Sequence, residues 1–526
     1  MTQRRDLVIG AGPAGLTAAW EFIEAGRHFP LVVEADHQVG GLSRTINHNG
    51  NRMDLGGHRF FSKSDWVMDW WLRMLPLAQS EDDGLLTYQQ QTVRLSGSEP
   101  IAESPSRQCF LVRPRQSRIY FRGQFFDYPV RLNTRLLRNL GLPSLFRIGA
   151  SYTRSSLFPR QPESNLEDFL VNRFGYELYS MFFRDYTEKV WGVPCREISA
   201  EWGAQRIKGL SVSGAIRHAL HSIFQAPKGY RQRTTETSLI EQFLYPVHGP
   251  GQLWEEVARK VVARGGELKL FHRVLRLEHE EGRVTHALIQ DCATQKTVRV
   301  AIDQVISTMP LSELSESLTP DAPQSILEIA RSLPYRDFMT VGLLVDRMTL
   351  APGRCGVNER GMPPDNWIYI QDPHVRLGRL QIFNNWSPGM VAAHPHIWLG
   401  LEYFCRQGDD LWSLEDTALI AFATRELVSI GLIKAGAVLD ARVVRVPKAY
   451  PAYFGAYQSL DQVKAYLDGF ANLFPVGRNG MHRYNNQDHS MLAARCAVET
   501  IVGGSGDKSA LWSVNADESY HETRQP

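Results

Sequence analysis

Much of what this chain could be is removed by what it lacks. No stretch of its 526 residues approaches the ~20 consecutive apolar residues of a membrane span. The first residues, MTQRRDLVIGAGPAGL, open like a signal peptide, but glycines and a proline interrupt the apolar run that should follow. Cysteine is scarce and scattered, at Cys109, Cys195, Cys292, Cys355, Cys405 and Cys496, with no CxxC spacing. That excludes a disulfide framework and a zinc site, and it points to a reducing, cytoplasmic setting. A net charge of only +2 gives no electrostatic footprint for nucleic acid. Ser-His-Asp, Cys-His and metal-ligand constellations are missing too, so no metal is expected. What remains is a chain of ordinary composition, too long for one core, that should divide into two or three domains.

The first forty residues carry the strongest signal. A short apolar strand, LVI, runs into GAGPAG, where Gly10, Gly12 and Gly15 fit GxGxxG. LTAAWEFIEAG follows at helical spacing and ends on Gly26, a good C-cap, and PLVVEA is a second buried strand ending in Glu34. Glycines let the backbone approach a pyrophosphate at a helix N-terminus, and an acid 19 residues beyond Gly15 can take ribose hydroxyls. Strand, helix, strand and acid in register make a dinucleotide-binding βαβ unit. A second glycine pair follows at Gly40 and Gly41, with Arg44 just after.

DLGGHRFFSK, residues 54–63, gives up two side chains before a bulky imidazole. A tight turn around a core histidine explains it, and so does a large flat ligand pressed against Gly56 and Gly57 with His58 at its edge. The acid followed by a second glycine pair resembles the FAD-binding extension of the amine oxidase and protoporphyrinogen oxidase superfamily. Within it, GGH-x-x-F resembles the flavin loop of the UDP-galactopyranose mutases, although Arg59 and Phe60 differ from the common mutase residues. The resemblance implies FAD, with Gly56, Gly57 and His58 beside the isoalloxazine ring.

Four later stretches resemble mutase segments in the same order. YTEKVWGVPCREISAEWGAQRIKG (186–209) implies Trp191 as a wall of the nucleotide-sugar site and Arg206 as a diphosphate contact. WIYIQDPHVRLGRLQIFNNWSP (367–388) reads as two strands around a turn, and the resemblance implies that Arg379 grips the pyrophosphate with Tyr369 beside it and Asn384 nearby. PKAYPAY (447–453) implies Tyr450 near the sugar. In FPVGRNGMHRYNNQDHSMLAARCAVETIVG (474–503), Gly477, Arg478, Asn486, Gln487 and Asp488 are implied at the flavin and Tyr484 at substrate phosphate, in a turn about two residues shorter than the family's. Each arginine suits phosphate oxygens as a planar, bidentate donor. The bland readings are a core Trp191, a surface Arg379 and a strand-end Tyr450.

The expected fold is α/β: a Rossmann-like FAD-binding domain drawn discontinuously from 1–90, 235–310 and 470–505, a helical insert at 130–230, and an antiparallel-sheet substrate domain at 315–470. Within the first, HGPGQLWEEVARKVVARGGELKL should place Leu253, Val257, Val261 and Val262 on one buried helix face, and Val274 falls where the superfamily packs against adenine. The polar tail, 506–526, is expected to be unpacked. The resemblance implies a mutase that interconverts pyranose and furanose nucleotide sugars, UDP-sugars foremost, through a reduced-flavin N5-sugar adduct, with His58, Arg206 and Arg379 carrying the chemistry. The competing reading is an FAD-dependent oxidase, desaturase or dehydrogenase of the same superfamily. NAD(P)H is the reductant the family uses. No stable membrane insertion is expected, a surface association through Arg131, Arg135, Arg138 and Arg147 stays open, and so does homo-oligomerisation.

Overall fold

Leu7, Val8 and Ile9 are completely or almost completely buried because their strand has neighbours on both sides, which is why it reads as a continuous apolar run and not an alternating one. The computed structural model describes residues 5–26, 29–78, 85–88, 91–94, 108–128, 134–200, 242–353, 356–392 and 395–514. Arg5–Ile9 lies at the centre of an eight-stranded sheet, parallel to Leu31–Val33 on one side and to the end of Thr297–Ser307 on the other. Glu267–Lys269 extends the parallel part beyond Leu31–Val33, and Leu473–Pro475 pairs with Val305–Ser307. The antiparallel ribbon His272–Glu280, Arg283–Asp291 and Thr297–Ser307 follows, and Leu318–Thr319, parallel to His272–Glu280, completes it at the edge.

One face of this sheet is covered by the helices Pro13–Glu24, Gly251–Ala263 and Gln487–Gly503, which share one core cluster. In the Gly251–Ala263 helix Leu253, Val257 and Val261 are buried as the spacing predicts, but Val262 is 50% exposed, because it sits one step past the packed stripe.

The second sheet has seven strands in the order Val438–Pro451, Tyr335–Val345, Ile397–Cys405, Arg379–Ile382, Trp367–Ile370, Ser117–Phe121 and Gln124–Asp127. All pairings are antiparallel except Trp367–Ile370 with Ser117–Tyr120. The sheet is not confined to the expected 315–470. Its last two strands come from before the helical insert. Conversely, the helices Leu311–Ser317, Gln324–Ser332 and Leu460–Asp468 belong to the first domain, since Leu314, Leu327, Val463 and Leu467 share a core with Leu7 and Ile9. The helical insert between Thr134 and Glu197 packs around Phe169, Phe174, Tyr179 and Trp191.

The described start of the tail, residues 506–514, packs on the domain. Ser509–Ser513 is helical with Leu511 buried, and the Arg483 guanidinium donates to the Trp512 and Val514 carbonyls at 2.7 and 3.0 Å. Among the described residues, no helix is long and apolar enough to cross a membrane.

Candidate functional site

The dinucleotide end is built from two glycine turns set backbone to backbone. A Cβ on Gly12 would stand 3.6 Å from the Gly41 Cα, and one on Gly41 3.1 Å from the Gly12 Cα. Gly15 is small for a different reason: its Cβ would overlap the Gly10 carbonyl oxygen at 1.9 Å, where the helix crosses the strand. Gly40, at φ +101°, donates its N–H to the Ala11 carbonyl at 2.8 Å and locks the turns together. Glu34 ends its strand there, its carboxylate accepting from the Ala11 and Asp36 amides at 2.7 and 2.9 Å.

Three features of this cradle fit a bound dinucleotide. The helices Pro13–Glu24 and Gln487–Gly503 both begin without a side-chain cap, leaving N-terminal amides for an anion. The Arg44 Nε is buried with no hydrogen-bond partner, while its Nη1 reaches the Gly41 carbonyl at 3.3 Å. A Cβ added to Gly477 would meet Ala14 at 3.1 Å, so the loop before the C-terminal helix closes directly onto the glycine turn. Side chains in that loop are already committed: Gln487 accepts from the Trp254 indole at 3.3 Å and Asp488 from the Ser62 hydroxyl at 3.0 Å. Asn486 is the N-cap residue and makes no side-chain capping bond, so the first amides of the helix are left for a ligand. Val274 is 4% exposed inside the core, which leaves any adenine contact to its backbone.

The Gly56–His58 loop sits between the two sheets. Gly56 has φ +96° and room for a Cβ, which would rest in ordinary contact with the Tyr450 hydroxyl at 3.9 Å and the His58 ring at 4.0 Å. Gly57 departs from the expectation: its Cβ would strike the Trp367 ring at 2.5 Å, so protein packing and not a ligand keeps this position small. The His58 Nδ1 faces the Gly56 carbonyl at 3.1 Å, and because a carbonyl only accepts, that nitrogen carries the proton and Nε2 the lone pair. Burial, with Arg478 nearby, lowers the imidazole pKa to about 4, so His58 is neutral at physiological pH.

Opposite the loop, tyrosines gather around the buried Arg379 of the second sheet. Tyr369 and Arg379 lie directly across from each other on paired strands. The Arg379 Nη2 donates to the Tyr450 hydroxyl at 3.0 Å, and its Nε lies 2.8 Å from the fully buried Glu402 carboxylate. Its guanidinium is sandwiched between Phe404 and Trp367, at 4.6 and 5.1 Å. Burial raises the Glu402 carboxyl pKa, while Arg379 and the Gln381 amide, donating at 2.7 Å, pull it back. Tyr450 stacks on Tyr484 with 5.6 Å between centroids, and Arg478 lies 4.8 Å over Tyr484. On the other flank Tyr369 meets Tyr128 at 4.3 Å and Tyr186 at 5.5 Å, and Arg59 lies 5.6 Å from Trp367. The Trp367 Nε1 is buried with no partner.

Of the expected substrate residues, Tyr369, Arg379, Tyr450 and Tyr484 are thus one cluster, with His58 and Arg478 at its edge. Two others are not part of it. Trp191 is 7% exposed in the core of the helical insert. Asn384 spends its amide on the strand end, donating to the His396 carbonyl and accepting from the Trp398 amide, both at 2.9 Å. Arg206 lies outside the described residues. Sequence reasoning missed Tyr128, Tyr186, Trp367 and Glu402, and it noticed Arg59 only as an oddity. Tyr186 stands five residues before Trp191, where helical phase alone separates a site residue from a core one.

Residues 13–361, well over half of the chain, match the flavin-containing amine oxidoreductases. The chain belongs to that family. Membership makes it a flavin enzyme, with FAD the cofactor its cradle fits. Similar solved structures agree on the fold. Reduced UDP-galactopyranose mutase superposes at TM-score 0.74 with 21% identity over 99% of this chain and 100% of its own. A putative protoporphyrinogen oxidase from Exiguobacterium sp. 255-15 gives 0.63 at 17% identity, over 96% and 99%. Putrescine oxidase with bound putrescine gives 0.57 at 15%, over 95% and 100%. At these identities the likeness carries the architecture and not the reaction.

Proposed function

We propose that the protein is a flavin-dependent mutase of a nucleotide sugar, interconverting pyranose and furanose rings without net redox change. The observation that carries this reading is the charge of the tyrosine-lined cluster. Arg59, Arg379 and Arg478 border it, and Glu402, the carboxylate beside Arg379, is already engaged by that arginine. A diphosphate meets complementary charge there, while an ammonium substrate would be brought beside guanidinium groups in a poorly screened site.

Gly12, Gly15, Glu34, Gly41, Arg44 and the start of the Gln487–Gly503 helix would hold FAD, whose ring system, when reduced, supplies a nucleophile for the anomeric carbon. The protein's own share is binding and orientation. Arg379 clamps diphosphate oxygens, with the Tyr450 and Tyr484 hydroxyls beside it. Tyr128, Tyr186 and Tyr369 give faces for a base or a sugar and hydroxyls for its edge. His58 offers an Nε2 lone pair, fixed by the Gly56 carbonyl, that can hold a sugar hydroxyl proton. A cation clamp that stabilises the departing diphosphate is the term such a reaction needs most.

Titrating the oxidised flavoprotein with UDP-galactose and, separately, with putrescine tests this reading. It expects saturable perturbation of the flavin and tryptophan spectra by the sugar nucleotide, without bleaching. Flavin bleaching by the amine, with no response to UDP-galactose, would establish the oxidoreductase reading instead.

A further inference from the structure

The Thr134–Leu157 helix is kinked at Gly141, where φ is +73° and ψ +159°, and Pro143 follows. Beyond the kink the side turned to the protein carries Leu145, Ile148 and Tyr152, half-buried, together with Ser151 and Ser155. There the Ser151 hydroxyl accepts from the Glu177 amide at 3.1 Å, and Gly175 packs so closely that a Cβ would lie 2.7 Å from the Tyr152 nitrogen. The outer side carries Phe146, Ala150, Thr153 and Leu157, spaced i, i+4, i+7 and i+11 and so forming one stripe. Phe146 is 79% exposed, Leu157 68%, and Phe158, just past the helix end, 76%.

The helix meets the protein through that inner side, so the core does not account for Phe146 and Leu157 on its outer side, or for Phe158 just beyond its end, all turned to water. Isolated exposed apolar residues need no explanation, but a stripe of them marks a contact surface. Arg147 and Arg154, seven residues apart, run along one edge of that stripe, both exposed and with no acidic partner among the described residues. Glu167 and Asp168 pair with Arg160 and Glu163 with Arg173, while Glu177 lies on the inner side, its amide donating to Ser151. The surface is therefore apolar in its centre and uncompensated positive along its edge.

We propose that this face docks the enzyme on an anionic lipid surface. Phe146, Leu157 and Phe158 enter the boundary between headgroups and acyl chains, and Arg147 and Arg154 lie along it, their stems on the apolar side and their guanidinium groups on lipid phosphates. The association is peripheral and reversible, since the helix lies on the surface and does not span it. It does not depend on which reaction the flavin site catalyses.

Flotation of the full-length flavoprotein with phosphatidylcholine vesicles, with and without phosphatidylglycerol, tests this. The protein should float with the anionic vesicles at low salt, less at high salt, and little with phosphatidylcholine alone. Replacing Phe146, Leu157 and Phe158 together by serine should reduce binding to anionic vesicles about a hundredfold. R147E with R154E should reduce it at least about tenfold and remove the salt dependence. Both sets of positions are exposed, so an unchanged flavin spectrum and urea midpoint would confirm intact folding. Failure of the wild-type protein to float with anionic vesicles at low salt would overturn the proposal, as would undiminished binding by the serine variant. It would be overturned equally if the wild-type protein ignored vesicles but formed a dimer that the serine variant abolished, since the face would then join two copies of this chain.

Discussion

Arg379 gives the sharpest test of the site, because it has two separable roles. It is 8% exposed and ion-paired to Glu402, which is fully buried. Arg379→Ala therefore leaves an uncompensated buried carboxylate and should destabilise the fold by about 3–5 kcal/mol at pH 7. The loss should shrink as pH falls, because Glu402, whose pKa burial already raises, then takes up a proton. That single variant confounds folding with binding. Arg379→Met combined with Glu402→Gln removes both charges, keeps the volume between Trp367 and Phe404 filled, and should lie within about 1.5 kcal/mol of wild type. If Arg379 grips a diphosphate, the double variant should nevertheless lose about 2–4 kcal/mol of binding, roughly 30- to 700-fold in Kd. Urea denaturation at two pH values gives the stabilities, and calorimetric titration with UDP gives the affinities. A stable double variant that binds UDP as tightly as wild type would refute the clamp.

Other consequences are simpler to read. Gly57→Ala should be destabilising by about 1–3 kcal/mol through the Trp367 clash, whereas Gly56→Ala, with room for a Cβ but φ +96°, should cost only the backbone strain of about 1–2 kcal/mol; a Gly57→Ala urea midpoint equal to that of wild type would contradict the packing. His482 is fully buried, donates Nε2–H to the Ala452 carbonyl at 3.2 Å, and has its pKa lowered by burial to about 4. Its contribution is complete above the unfolded pKa of about 6.5 and lost as pH falls toward 4, about 2 kcal/mol by pH 5. His482→Gln should flatten stability between pH 7 and pH 5, and an unchanged slope would reject the buried neutral imidazole. Arg483→Ala should free the Trp512 and Val514 carbonyls, so limited proteolysis should clip the C-terminal segment faster than in wild type.

The nucleotide-binding half was legible because its constraints are local. Gly10, Gly12, Gly15 and Glu34 sit within thirty residues of each other, and at Gly10 and Gly15 the backbone leaves no room for a side chain. Tyr369 and Arg379 were legible for a related reason: a short turn places them across one strand pair. Gly57 was misread because its neighbour, Trp367, is some three hundred residues away in the chain. The domain limits at 315 and 470 failed in the same manner. An amphipathic helix such as Gln324–Ser332 declares that it has an apolar face, but not which of two sheets that face will meet. Trp191 and Asn384 fell outside the cluster because residue type alone does not tell a binding indole or amide from one that completes a core or a strand end. Glu402, in a continuously buried strand, looked like any other part of an apolar run until Arg379 was placed beside it.

The central claim is a mutase reaction, and product analysis under reducing conditions bears on it most directly. The flavoprotein is reduced anaerobically with dithionite and given nucleotide sugars, UDP-galactose first, and the mixture is resolved by chromatography and mass. The account predicts a new isomer of unchanged mass that forms with reduced enzyme and is absent with oxidised enzyme. No isomer from any nucleotide sugar, together with oxidation of an amine or another substrate by the oxidised enzyme, would contradict it.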